Sequence, residues 1–197
     1  MPQTQPDGYL AIPPTGKGPG VLVLHASWGL NDTIKAFCRR LAQSGFVALA
    51  PDLYHGKVAD TIPDTEALGK ALDANHLHAK AEIADAAIFL TERVGQADHG
   101  LAVIGFSLGG YYALHLAAAD PEHNRSVVLF YGTDGTVGGD YSSSRAAYLG
   151  HFAQSDEFEP RSNVDYLEET LKHAGRPVTF YTYNGTGTNP RLPEAFL

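Results

Sequence analysis

A serine between two glycines is the feature of this 197-residue sequence that most directly suggests chemistry. Gly105-Phe106-Ser107-Leu108-Gly109 lies between an apolar run of strand character and a segment of helical character. A serine on a sharp strand-to-helix turn needs small residues two positions away on either side, so that strand and helix can approach each other. The pattern predicts Ser107 as a nucleophile above a sheet, with the Leu108 N–H as a donor to an oxyanion. The alternative is a glycine-rich turn that contains a serine by chance.

A second oxyanion donor is expected in the loop after an earlier strand. His25-Ala26-Ser27-Trp28-Gly29 leaves such a strand, so the Ser27 N–H is the candidate donor and Trp28 is a candidate wall of the substrate pocket. The same segment could instead be an ordinary loop with one half-buried aromatic side chain.

An acid that orients a histidine is expected after the nucleophile, at the end of a strand. Asp156 follows a short apolar segment and precedes Pro160, which is the position such an acid requires. Its alternative role is that of a turn or helix-capping residue.

The elements that would position these groups alternate along the chain. Strands are predicted at residues 9–12, 21–25, 46–50, 101–106, 126–131, 147–152 and 178–183. Helices are predicted at residues 34–44, 64–73, 75–94, 109–119 and 160–174. This alternation predicts one α/β domain over residues 1–197, a mainly parallel sheet with helices on both faces. Its ligand is expected beyond the carboxyl ends of the strands.

Composition excludes several classes of protein. Apolar residues make up 44% of the chain and charged residues 18%, which is typical of a globular protein. A net charge of −8 argues against a nucleic-acid binder, and the single cysteine, Cys38, excludes an internal disulfide and a cysteine-rich zinc site. His76 and His78 are two positions apart and do not share a helix face, so no metal site is expected there. With no long apolar run and no signal peptide pattern, we expect a cytoplasmic protein without a membrane segment.

Several phrases, in order and at fitting spacings from about Tyr9 to Tyr183, resemble the dienelactone hydrolase family. They are Leu24-His25-Ala26, Trp28-Gly29-Leu30-Asn31, Pro51-Asp52-Leu53-Tyr54, Gly105-Phe106-Ser107-Leu108-Gly109-Gly110, and Gly150-His151 with Asp156-Glu157-Phe158. The resemblance implies an α/β-hydrolase fold without a large lid domain and activity on small esters or lactones, with no metal or organic cofactor. It places Ser107 at the nucleophile position, Asp156 at the acid, and Leu108 and Ser27 at the oxyanion donors.

The sequence departs from this family at three positions. Ser107 stands where dienelactone hydrolases proper have a cysteine, and Ala26 stands where they have a glutamate that helps to activate it. Both changes are consistent with an ordinary serine esterase, which needs a general base instead. Thr188 stands where the resemblance places the histidine that acts as this base.

Two other histidines are candidate substitutes for the missing base. His25 ends a predicted strand beside the oxyanion loop, and His151 lies in the strand that leads to Asp156. Each could instead be a packed or hydrogen-bonded structural residue. Tyr54 is a further candidate for lining the substrate pocket, with core packing as its alternative role.

Two functions from different classes follow. The first is a serine hydrolase that cleaves small esters or lactones through an acyl-enzyme on Ser107. The second is a catalytically impaired domain of the same fold that binds a small ligand without turnover. Two prolines after Thr188 argue against a closing helix. We therefore expect an exposed apolar sheet face that favours a homo-oligomer.

Overall fold

The sequence folds around one sheet of seven strands. The structure is a computed structural model that describes residues 4–94, 100–135 and 138–187. The strands are β1 (Gly8–Ala11), β2 (Gly20–Leu24), β3 (Val47–Pro51), β4 (Leu101–Phe106), β5 (Asn124–Phe130), β6 (Ala147–Ser155) and β7 (Val178–Gly187). The helices are α1 (Asp32–Gln43), α2 (Ile62–Ala74), α3 (His76–Val94), α4 (Leu108–Ala119) and α5 (Arg161–His173).

The strand order is β1-β3-β2-β4-β5-β6-β7. Only the edge strand β1 is antiparallel to its neighbour among these pairs, and the other neighbours are parallel. Parallel strands need crossover connections. Helices on both faces supply most of them, whereas the described residues between β5 and β6 contain no helix. The predicted mainly parallel α/β architecture is therefore confirmed.

The central strands are buried on both faces, which explains their continuous apolar runs. Val21 and Val23 of β2 pack in one cluster with Cys38 of α1. Leu22 and Leu24, which point to the opposite face, pack in a second cluster with side chains of α3, α4 and α5. These two layers hold the carboxyl ends of β2 and β4 at one edge of the sheet.

Local signals in the sequence set where the first helices begin. The Asn31 side chain accepts a hydrogen bond from the Ile34 N–H at 3.1 Å and caps α1. Thr61 and Asp64 form a reciprocal capping box at the start of α2. Both arrangements satisfy backbone donors that a helix terminus leaves without a partner.

Within the described residues, one half of a sheet face has no helix packed on it. Helix α1 contacts β1 and β3. Among the described residues, no helix packs on the same face of β6 and β7. Aromatic side chains lie on this open half, with Tyr181 51% and Tyr183 41% exposed. Such a surface is what the sequence leads us to expect, and association into a homo-oligomer stays a prediction. None of the described helices is both long and apolar enough to cross a lipid bilayer.

Candidate active site

Ser107 occupies a strained turn between β4 and α4. Its backbone torsions are φ 49° and ψ −116°, in a region that residues with a side chain rarely adopt. The Ser107 N–H donates to the Phe130 carbonyl at 2.9 Å, and the Ser107 carbonyl accepts from the Gly110 N–H at 2.7 Å. The turn predicted from the glycine-flanked serine is present, and helix α4 starts at the next residue.

Close backbone approach explains the glycines around Ser107. A Cβ atom on Gly105 would lie 2.4 Å from the Gly109 carbonyl oxygen, and one on Gly109 would lie 2.2 Å from the Leu24 carbonyl oxygen. Gly132, in the loop after β5, was not singled out from the sequence. A Cβ there would lie 2.2 Å from the Ser107 carbonyl oxygen. Three backbone segments therefore meet at the serine, and none leaves room for a side chain.

The same approach brings the loop after β2 to the start of α4. A Cβ on Gly109 would also lie 2.8 Å from the His25 carbonyl oxygen, two residues before Ser27. Leu108 is the first residue of α4, so its N–H is one of the donors that a helix N-terminus leaves unpaired. Within the described part of the chain, the Ser27 N–H has no acceptor either. Both N–H groups lie at this end of the sheet, and their role as oxyanion donors stays a prediction.

His25 is a buried structural residue rather than a free base. Its side chain is 0% exposed, and its Nδ1 lies 2.7 Å from the Ala26 carbonyl oxygen. Its Nε2 accepts a hydrogen bond from the Leu53 N–H at 3.3 Å. Burial lowers the pKa of His25, so the ring is held neutral with both nitrogens engaged by backbone. This geometry corrects the suggestion that His25 substitutes for the missing base.

His151 is likewise held away from Ser107. Its ring stacks between Phe130 and Tyr181, with ring centroids 4.9 and 5.7 Å away. Phe130 in turn stacks on Phe106, so an aromatic ring separates His151 from β4. Its Nδ1 lies 2.7 Å from the Tyr183 hydroxyl, and burial lowers the pKa of the imidazole. This arrangement favours the structural alternative for His151, because the ring belongs to an aromatic row across the sheet.

Asp156 lies directly after β6, and its role as the acid stays a prediction. One of its carboxylate oxygens accepts from the Phe158 N–H at 2.9 Å and the Glu159 N–H at 3.0 Å, which are the bonds of the turn residue that was its alternative role. Its negative charge also contributes to raising the pKa of Tyr131 to about 12, mainly an effect of burial. The carboxylate is therefore close to the residue that follows β5, beside the Ser107 turn.

One residue in this region, Glu159, was missed by sequence reasoning. Glu159 accepts from the Thr133 N–H at 2.7 Å and from the Thr133 hydroxyl at 2.9 Å. It thereby joins the loop after β6 to the loop after β5, where Tyr131 has a positive φ of 44°. Glu159 belongs to no motif, so only the folded arrangement shows this role.

The two predicted pocket residues do not line one cavity. Trp28 borders a space of about 10 Å³ with Phe106 and Tyr131, which is no larger than a water site. Tyr54 is 4% exposed and packs at 5.0 Å from the His25 ring, on the side of α2 and α3. Tyr54 therefore takes the core role that was its alternative.

Comparison with known proteins identifies the family. The sequence profile of the dienelactone hydrolase family matches residues 7–188. The chain belongs to this family. Protein usf from Aquifex pyrophilus is 34% identical over 182 residues, which cover 90% of this chain and 78% of that protein. A protein from Aquifex aeolicus named "Putative carboxymethylenebutenolidase" is 31% identical, with the same coverage of both chains.

A solved structure supports the same assignment. The crystal structure of a "Putative Dienelactone Hydrolase" from Klebsiella pneumoniae superposes with a TM-score of 0.76 at 26% identity, covering 91% of this chain and 80% of that one. The fold is accordingly an α/β-hydrolase fold, as the resemblance implied. The members are hydrolases, so the family assignment places this chain among hydrolases.

The position expected to hold the histidine of the dienelactone hydrolase family, Thr188, lies outside the described residues. The strand that leads to it is informative. Gly187, the last residue of β7, pairs with Ser155 of β6, immediately before Asp156. The chain thus reaches the level of the predicted acid one residue before Thr188.

The close approach at Gly109 predicts that Gly109→Ala destabilises the fold. The new Cβ would collide with the Leu24 carbonyl, and overpacking of this kind costs about 2 kcal/mol or more of unfolding free energy. Gly69→Ala is the matched control, because Gly69 lies inside α2 with no atom within 4 Å of an added Cβ. There the change should stabilise by up to about 1 kcal/mol, since alanine favours helix. Urea denaturation of both variants measures the difference, and equal stabilities would contradict the geometry.

Burial of His25 predicts a pH dependence of stability. Its folded pKa is lowered, so the unfolded chain binds more protons and stability falls as pH drops below about 6.5. His25→Gln should lower stability at pH 7.5 and reduce the slope between pH 6.5 and 5 by up to about 1.4 kcal/mol per pH unit. His115 and His151 contribute to the pH dependence that remains, because burial also lowers their pKa values.

The measurement is unfolding free energy by urea titration at several pH values. The exposed His173→Gln is the surface control for the substitution itself. An unchanged slope in His25→Gln would show that His25 is not held neutral in the interior.

Proposed function

We propose that this protein hydrolyses carboxylic esters or lactones of small acids through an acyl-enzyme on Ser107. The observation that carries the proposal is the strained Ser107 backbone at the start of α4, with φ 49°. A residue is held in such a conformation only where its surroundings enforce it, and such residues cluster at functional sites. The three glycine contacts at this turn are that enforcement.

In the first step, the Ser107 hydroxyl oxygen attacks the carbonyl carbon and its proton passes to a base. The carbonyl oxygen becomes an oxyanion, which the Leu108 and Ser27 N–H groups stabilise as hydrogen-bond donors. Collapse of the intermediate breaks the bond to the leaving alkoxide, which takes up the proton. Water then hydrolyses the acyl-enzyme by the same route, which releases the acid and regenerates the Ser107 hydroxyl.

The rate of these reaction steps depends on the base that accepts the Ser107 proton. In this proposal Asp156 orients an imidazole beyond the ends of β6 and β7. The Gly187–Ser155 pair, which brings β7 next to the residue before Asp156, supports that role. No hydrogen bond links Ser107 to a histidine within residues 4–94, 100–135 and 138–187. We therefore propose an assembled nucleophile and oxyanion site whose rate is limited by proton transfer.

The substrate class follows from the family and the nucleophile. The Aquifex aeolicus relative is named for activity on a carboxymethylenebutenolide, which is a lactone, that is, a cyclic ester. The same cleavage of an acyl–oxygen bond hydrolyses simple esters. A serine in place of a thiolate nucleophile extends the proposal to ordinary small esters. The cytoplasmic location and the homo-oligomer expected from the sequence stay predictions.

Ser107→Ala should reduce hydrolysis of a short-chain chromogenic ester such as p-nitrophenyl acetate to the uncatalysed background. The alanine has no hydroxyl to form the acyl-enzyme, whereas the exposed loop variant Ser143→Ala should keep the wild-type rate. Initial rates at equal protein concentration provide the comparison. If wild type and Ser107→Ala both run at background, the hydrolase proposal is wrong.

Thr188→His should raise the rate by a factor on the order of 10² to 10⁴, the usual contribution of a positioned general base. Because only a neutral imidazole can accept the proton, the rate of this variant should increase as pH rises through about 6.5, the usual pKa of histidine. The double variant Thr188→His with Ser107→Ala is the control, because a histidine that hydrolyses the ester by itself would keep the gain there. No gain in the single variant would contradict an otherwise assembled site.

A further inference from the structure

The loop after β3 and helix α3 bring together two imidazoles and a carboxylate outside the Ser107 site. His55 lies in the loop, while His78 and Glu82 lie four residues apart on one face of α3. One ligand atom from each side chain can be chosen such that all three lie within 4.8 Å of one another. We propose that these three residues form a binding site for a divalent transition-metal ion, with zinc as the best match.

The distances favour a metal over a simple hydrogen-bonded cluster. The Nε2 atoms of His55 and His78 lie 3.5 and 3.4 Å from the same Glu82 carboxylate oxygen. These separations exceed the usual N···O hydrogen-bond distance of about 2.7–3.2 Å. Two ligand atoms bound to one zinc ion at about 2.0–2.1 Å, with tetrahedral angles, lie about 3.4 Å apart. These two separations are thus close to the spacing that a tetrahedral ion requires, and the remaining pair of ligand atoms, one from each imidazole, lies within 4.8 Å.

The donor set matches the same ions. Two imidazole nitrogens and one carboxylate oxygen form a three-ligand set that zinc accepts, with water in the remaining position. Imidazole nitrogens suit zinc, copper and nickel, whereas magnesium and calcium prefer oxygen ligands. The side chains are also accessible, since His55 is 54% and His78 is 70% exposed.

The backbone at His55 provides an independent observation. His55 has a positive φ of 51°, which is uncommon for a residue with a side chain. The turn is held by Asp52, whose carboxylate accepts from the Tyr54 N–H at 3.1 Å and from the Gly56 N–H at 2.7 Å. This conformation presents the His55 ring to α3 from the loop that follows β3.

Sequence reasoning considered a different pair on this helix. His76 and His78 were rejected because they do not share a face, and the Nδ1 of His76 lies 2.9 Å from the Asp73 carbonyl oxygen instead. The partners of His78 are Glu82, one helical turn away, and His55, 23 residues earlier in the chain. The expectation of no metal site concerned the pair His76 and His78, and it did not consider His78 together with Glu82 and His55.

A bound ion would connect two parts of the fold. The loop that contains His55 also supports the oxyanion loop, because the Leu53 N–H donates to His25 and the Ala59 N–H donates to the Trp28 carbonyl. Fixing His55 to α3 would stabilise this loop, and a ligand that binds only the folded state raises the unfolding temperature. The site is independent of whether Ser107 turns over substrate.

Calorimetric titration of the full chain, without a histidine tag, with zinc chloride tests the proposal. We expect one ion per chain with a dissociation constant in the micromolar range or below. His78→Gln and Glu82→Gln should each weaken binding at least 10-fold, and His76→Gln, on the same helix, should bind like wild type. Zinc should also raise the unfolding temperature of wild type and of His76→Gln, and chelation with EDTA should reverse that rise.

The same titrations can overturn the proposal. Absence of saturable one-to-one binding would do so, as would equal affinities of wild type and the two ligand variants. Equal loss in His76→Gln would show that zinc binds scattered surface histidines. Far-UV circular dichroism of each variant establishes that all are folded, which is expected because the substituted side chains are on the surface.

Discussion

The site depends on one steric constraint, the crowding of three backbone segments around the Ser107 turn. Gly105, Gly109 and Gly132 each lie where a Cβ atom would fall within 2.4 Å of a carbonyl oxygen. Because none carries a side chain, β4 can end and α4 can begin within one residue, with Ser107 at positive φ. The same contacts bring the loops after β2 and β5 to the helix N-terminus. The position of Ser107 at the helix N-terminus thus follows from the close packing of backbone segments.

The fold was largely predictable because its signals are local. Continuous apolar runs marked β2, β3 and β4, and capping residues such as Asn31 marked a helix start, so the predicted elements lie within a few residues of the observed ones. The strand order and the role of Gly132 depend on contacts between segments distant in sequence, which no local pattern encodes. Glu159 was missed for the same reason.

The residue type alone does not predict the role of a histidine in this protein. An imidazole can be a base, a buried hydrogen-bonding group, a stacked ring or a metal ligand, and its neighbours decide which. His25 bonds to backbone on both sides, His151 stacks in an aromatic row, and His78 faces Glu82 and His55. Only the last pairing had a local signal, the four-residue spacing of His78 and Glu82, whereas His55 joins them through the fold.

The central claim is that the turn presents Ser107 as a nucleophile beside two oxyanion donors. Covalent labelling with a fluorophosphonate tests it directly, since phosphonylation needs the hydroxyl and benefits from the same donors. Trypsin releases residues 94–125 as one peptide, in which Ser107 is the only serine and no threonine occurs. Mass spectrometry over a pH series should locate the label on Ser107, faster than on the exposed Ser143. Labelling no faster at Ser107 than at Ser143 in folded protein would contradict the account.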